Sequence, residues 1–203
     1  MRILKYLKKH NAIVTFLASL FVIGLIFGLI LGFKQDTIFK NDVLNSLSNL
    51  KELLLASKIN NIFTHFLLFL ILIATSFLVP LYFLNFIFLF FKGITIGFSL
   101  YIFSLVLGFK GFLAGLIYNI FTSCLFCLVY VYLIIRGINL GKNVIGLTLT
   151  HEKNYLINIK NTLLSIIIIS GVCLLYDLLL YIFSNFIIDK LICFFLMDFR
   201  AAI

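Results

Sequence analysis

The chain has 203 residues, of which 64% are hydrophobic and 11% charged, with a mean hydropathy of +1.23. An average soluble domain is about 45–50% apolar and about 25% charged, so an ordinary soluble fold is excluded, and the polar stretches between the apolar runs are too short to hold a separate domain. Sixteen Lys and Arg against seven Asp and Glu give a net charge of +9. Those cations flank apolar runs in the manner of membrane anchors, which sets nucleic acid aside and makes membrane lipid the expected partner.

Residues 1–10 form a basic start with Arg2, Lys5, Lys8 and Lys9. The apolar run behind them is too long for the core of a cleaved signal and lacks an A-x-A site, so a retained first span is expected over 11–33. Gly24, Gly28 and Gly32 recur at steps of four within it and share one face, a helix-packing pattern. Residues 34–61 read as a long polar loop. In it Phe39, Val43, Leu47, Leu50 and Leu54 recur at steps of three and four, opposite Lys40, Asn45, Asn49, Lys51, Glu52 and Lys58. That spacing predicts one amphipathic outer-loop helix, which could lie in the membrane interface, dock on a partner or lean on the bundle. A second span occupies 62–91, longer than one bilayer needs, and is expected to tilt or to kink near Pro80. His65, near its start, reads as an interfacial side chain, and Asn85 as an amide hydrogen-bonded to a neighbouring helix.

One phrase then occurs twice. Phe91-Lys92-Gly93-Ile94-Thr95-Ile96-Gly97 and Phe109-Lys110-Gly111-Phe112-Leu113-Ala114-Gly115 both read F-K-G-x-x-x-G, and no charge lies between the two lysines. This predicts a short central helix over 93–109, with Lys92 and Lys110 setting its depth as charged collars and Gly93, Gly97, Gly111 and Gly115 allowing close packing. A fourth span is expected over 112–135, carrying Asn119, Thr122 and Ser123 inside it. It also holds the C-x-x-C of Cys124 and Cys127, but with no second pair and no nearby His, neither a metal nor a cofactor is expected. Residues 136–160 read as a second polar loop. Arg136, Lys142, Lys153 and Lys160 face only Glu152, and Gly137, Gly141 and Gly146 read as helix breakers. The last span covers 161–188 and contains Asp177. An ionised carboxylate at that depth costs about 2.5–3.5 kcal/mol on insertion scales, so Asp177 must be protonated, partnered or near water. Lys92 and Lys110 are its candidate partners. The tail 189–203 has an apolar patch, Leu191–Met197, too short to cross.

These elements describe an all-α, polytopic α-helical membrane protein. It is a single integral membrane domain of about five transmembrane helices in the cell membrane. A cytoplasmic N-terminus is expected from the basic start, which puts 136–160 on the same side. No HExxH or GxSxG motif occurs, and His10, His65 and His151 are far apart, so no catalytic set is read. Asp177, Lys92, Lys110 and Asn119 at membrane depth leave a transporter or permease subunit as the alternative to a non-catalytic scaffold.

The order of features resembles the stage II sporulation protein M family. The basic start, glycine-rich first span, long outer loop and Pro-containing second span lead into F-L-F-F-K-G-I-T-I-G-F. The segments Phe90–Phe98 and Gly111–Ala114 are similar to the family's L-K-G-x-x-x-G-F and G-F-L-x-A elements. Asn119 matches a family Asn, although Tyr118 stands where the family often has Pro, and Asp177 corresponds to an acidic residue of the last span. The resemblance implies a five-span anchor. Such an anchor recruits peptidoglycan-degrading partners, the stage II sporulation proteins D and P, to the septal membrane during engulfment in endospore formation. Related members occur outside spore formers.

Overall fold

The computed structural model describes residues 10–35, 39, 50–150 and 153–183, and it is helical almost throughout. Among the described residues five long helices follow in order: α1 (Asn11–Phe33), α2 (Leu50–Phe77), α3 (Leu84–Asn119), α4 (Leu125–Thr150) and α5 (Lys153–Ile182). A short 3₁₀ turn, Val79–Phe83, joins α2 to α3, and a π-helical turn, Ile120–Cys124, joins α3 to α4. Among the described residues four segments are long and apolar enough to cross a membrane: Asn11–Phe33, Leu81–Leu105, Leu125–Thr150 and Asn154–Ile182. The apolar part of α2, Ile62–Phe77, is shorter. Much of the outer surface is apolar too. Val22, Ile23, Ile26 and Ile30 of α1 stand exposed, as membrane helices require where lipid takes the place of water.

Three boundaries differ from those expected. The continuous apolar run 62–91 is broken in two, because Pro80 opens the 3₁₀ turn instead of kinking one long helix. The expected short helix 93–109 is the later part of a long arm that starts at Leu84, so Lys92 is interior to a helix and is not a collar at its end. That arm stops at Gly108, whose φ of 60° and ψ of −141° leave the helical region and suit only glycine. The described residues of the second polar loop, 136–150 and 153–160, are helical: α4 continues to Thr150 and α5 begins at Lys153. Gly137 and Gly146 do not break α4. They make room for Ser76 and Tyr82 in one case and for Tyr155 in the other. The amphipathic pattern from Phe39 to Leu54 lies largely outside the described residues, as do the basic start and the tail 189–203.

At Gly108 the chain reverses. Ser99 meets Asn119, Phe103 meets Gly115 and Tyr118, and Lys92 meets Phe126, so the arm after the turn runs antiparallel to the arm before it. The pairing continues to the far end, where Asn85 meets Tyr130 and Tyr82 meets the carbonyl of Ile134. The α2 helix is antiparallel to α3 as well, with Thr75 beside Asn85 and His65 beside Lys92. The α4–α5 pair forms another hairpin, in which Tyr155 covers Gly146.

In contrast, α1 runs parallel to α3. Phe16 packs edge-on to Phe86 near one end and Phe33 on Tyr101 near the other. Between them the two backbones touch. Gly24 lies on the Phe90 carbonyl, Gly28 on Ile94, and Gly93 and Gly97 on the carbonyls of Phe21 and Leu25. Small residues allow this approach, because membrane helices gain little from hydrophobic burial and must gain from close packing.

Candidate functional site

Three polar residues on one face of α3, the buried Asn85 and the half-buried Lys92 and Ser99, organise the polar interior of the bundle. Asn85, Lys92 and Ser99 are seven residues apart, two helical turns each, so they lie in one line along the helix. Each is the centre of a separate polar layer.

The middle layer carries the charges. His65 of α2 is 1% exposed and Asp177 of α5 is 7% exposed. The His65 Nδ1 lies 2.7 Å from an Asp177 carboxylate oxygen, and the Lys92 Nζ lies 3.1 Å from His65 Nε2. An ammonium has only hydrogens to offer, so Nε2 must accept and the imidazole proton must sit on Nδ1, which donates to Asp177. The chain is then ammonium, neutral imidazole and carboxylate, with a net charge of zero. Phe126 of α4 closes the layer. Its ring stacks on His65 at a centroid distance of 3.6 Å and an interplanar angle of 8°, and the Lys92 ammonium sits 5.5 Å from the same ring. Four helices therefore meet here. Lys92 precedes Gly93, which rests on Phe21, Gly24 and Leu25 of α1, so the charges lie level with the middle of that helix. Leaving one member of such a buried set without its partner typically costs about 3–5 kcal/mol.

The layer toward the 3₁₀ turn centres on Asn85, which is fully buried. Its amide donates to Thr75 Oγ1 at 2.8 Å, and its carbonyl accepts from the Tyr130 hydroxyl at 3.0 Å. The third layer, toward Gly108, is the bond from Asn119 Nδ2 to Ser99 Oγ at 2.9 Å, with a second from the same amide to the Gly115 carbonyl at 2.8 Å. Rings fill the gap between the first two layers: Phe126 stacks on Tyr130, and Phe69 leans on both. Among the described residues, every buried side-chain nitrogen and oxygen has a hydrogen-bond partner.

The residues singled out in the sequence separate accordingly. Asp177 is joined to Lys92 as one of its candidate partners, but only through His65. That histidine is the innermost of the three, not an interfacial side chain. Lys110 stands exposed at the hairpin turn, away from Asp177. Asn119 is buried in the third layer. Gly24, Gly28, Gly32, Gly93 and Gly97 lie in the α1–α3 contact, Gly115 faces Phe103 within the hairpin, and Gly111 is buried near the turn. Cys127 is buried next to Phe126. The described residues contain no group of three or more His, Cys, Asp or Glu side chains that could share a metal ion.

The His65–Asp177 pairing was missed because the two are 112 residues apart. The signal that could have found it is the seven-residue recurrence of Asn85, Lys92 and Ser99, which places Lys92 on an interior polar stripe.

The chain matches no family model, no curated protein and no solved structure.

Proposed function

We propose that this protein is a non-catalytic, multi-pass scaffold of the cell membrane, crossing it five times. In this reading the crossings are α1, the apolar part of α2, α3 up to Gly108, the α3–α4 arm that returns beside it, and α5. The N-terminus and the α4–α5 hairpin share the cytoplasmic side. The observation that carries the reading is that the interior polar groups are consumed by one another. A charge-neutral Lys–His–Asp chain and two hydrogen-bonded amide layers hold four helices in register, and α1 is seated on them by glycine contacts. Such an interior fixes relative helix heights, which a platform for other proteins needs. The resemblance of Phe90–Phe98 and Gly111–Ala114 to the stage II sporulation protein M family gives the scaffold a specific task. That task is to hold peptidoglycan-degrading partners at the septal membrane during engulfment. The test is affinity capture of the tagged protein from sporulating cells in mild detergent. Recovery of a cell-wall hydrolase is expected, and capture that repeatedly recovers none would refute the reading.

The same Lys–His–Asp chain favours one second reading, a transporter or permease subunit, because ionisable groups at mid-membrane are common in ion and proton pathways. In that case Asp177→Asn abolishes solute or proton flux in reconstituted vesicles. Flux that is absent from the wild-type protein, or unchanged in the variant, removes this alternative.

A further inference from the structure

We propose that Lys92, His65 and Asp177 form an exchangeable proton site, and that loading it with one extra proton releases α5 from α2 and α3. The inference does not depend on the scaffold reading, and it would hold for any protein built on this bundle.

The argument starts from the count of donors and acceptors. With Lys92 as an ammonium and Asp177 as a carboxylate, Lys92 donates to Nε2 and Nδ1 donates to Asp177, and the set is neutral. No second arrangement with the same geometry accepts a further proton. A proton added at Nε2 leaves that nitrogen with a hydrogen facing the ammonium 3.1 Å away, so the Lys92–His65 bond is lost and two cations adjoin. A proton added at Asp177 leaves the carboxyl a poorer acceptor for Nδ1–H and removes the charge that balances Lys92. Either way the set becomes cationic among apolar side chains, where an unbalanced charge is costly. The cheapest relief is separation of the helices, so that the charge can reach water.

The surroundings offer little else to absorb the proton. From α4 the facing groups are Phe126 and the Cys127 thiol, which is within electrostatic reach of Lys92, with the Tyr130 hydroxyl already bound to Asn85. From α5 they are Cys173, one turn before Asp177, and Tyr176 beside it, both within electrostatic reach of the carboxylate. From α2 and α3 they are His65 and Lys92 themselves. The facing stretch of α1, Leu17–Leu29, contains no titratable side chain. Cysteine and tyrosine supply no base that outcompetes an imidazole or a carboxylate in mild acid. The extra proton must therefore sit on the triad.

The joint that opens is also identifiable. His65–Asp177 is a side-chain hydrogen bond between α2 and α5, and the same carboxylate provides the charge that balances Lys92 of α3.

The test is hydrogen exchange of the full chain in nanodiscs, read at the backbone amides of 166–180 and corrected for the intrinsic dependence of exchange on pH. Between about pH 8 and about pH 4, an interval carried below the ordinary imidazole range because the added proton is disfavoured in a buried set, exchange in this segment is expected to rise ~10-fold or more in the wild type. Exchange across the α1–α3 contact stays constant. Asp177→Asn is expected to show the fast exchange at both pH values. The double variant Lys92→Met with Asp177→Asn, which has neither charge, is expected to be slow at both. A wild-type segment whose corrected exchange does not change over the interval overturns the proposal. So does a double variant that responds to acid as the wild type does. If Asp177→Asn alone fails to assemble, the wild type and the double variant still decide the matter.

Discussion

Substituting Gly97 by Ala adds one methyl group at the closest approach of α1 and α3. An ideal Cβ at Gly97 falls on the carbonyl oxygen of Leu25, with the Leu25 carbonyl carbon and the Leu29 nitrogen at 3.0 Å. These are backbone atoms of a helix and cannot rotate away as a side chain would. The two helices must move apart, and the neighbouring close contacts at Gly28 and Gly93 open with them. Overpacking of this kind typically costs about 1–3 kcal/mol, and the loss of Cα–H···O contacts adds to it. Gly171→Ala is the internal control. It lies in α5 with no heavy atom within 4 Å of the new methyl, so the higher helix propensity of Ala, worth up to about 1 kcal/mol in a helix interior, should make it neutral or slightly stabilising. The assay is thermal denaturation in a fixed detergent, with both variants and the wild type measured in parallel. A Gly97→Ala protein as stable as the wild type would refute the backbone-contact argument. Equal destabilisation by Gly171→Ala would also refute it, because the effect would then not be steric.

Other positions test other parts of the structure. Gly108→Ala meets no atom within 4 Å, yet it should destabilise the hairpin by about 1–3 kcal/mol in the same assay, because φ of 60° with ψ of −141° is a glycine conformation. Tyr130→Phe removes the hydroxyl that donates to Asn85 and should cost about 1 kcal/mol, whereas Asn85→Leu, which strands the Tyr130 hydroxyl and removes the donor to Thr75, should cost more. The proposed five crossings would put Phe109→Cys and Lys142→Cys on opposite sides of the membrane. An impermeant thiol reagent applied to intact cells, in a background lacking the native cysteines, should label the first and not the second. Labelling of both from one side would overturn that topology.

Hydropathy shows where apolar runs lie, and the membrane character of the chain was legible from it. What hydropathy cannot show is where a run is cut. The stretch 62–91 contains two helices and a turn, and Pro80 was the visible mark, read as a kink although it opens a 3₁₀ turn. Lys92 was misplaced for a related reason. A lone lysine in an apolar run is cheapest at an interface, and only its partners make the interior affordable. Those partners come from α2 and α5, and nothing local in the sequence ties Lys92 to them. The glycines of α4 show the same limit. Gly137, Gly141 and Gly146 look like breakers in an isolated segment, whereas in the bundle Gly137 accommodates Tyr82 and Gly146 accommodates Tyr155.

The two ways of joining helices in this bundle should come apart independently. Across α2, α3, α4 and α5 the joints are polar: Thr75–Asn85–Tyr130 in one layer and Lys92–His65–Asp177 in the next. The α1 helix has no such joint among the described residues. Thr15 and Ser19 spend their hydroxyls on its own backbone, at Asn11 and Phe16, and its seat on α3 is one of shape. A leucine at Gly97 should therefore free α1 while leaving the His65–Asp177 contact intact. Asp177→Asn should loosen α5 while α1 remains against α3. Chemical crosslinking separates the two, with one cysteine pair at Phe33 and Tyr101, whose rings are 4.9 Å apart, and another pair between α2 and α5. Each variant should lose one crosslink and keep the other. Loss of both crosslinks in either variant would mean that the bundle is one cooperative unit, and that neither the glycine seat nor the charged layer has a role of its own.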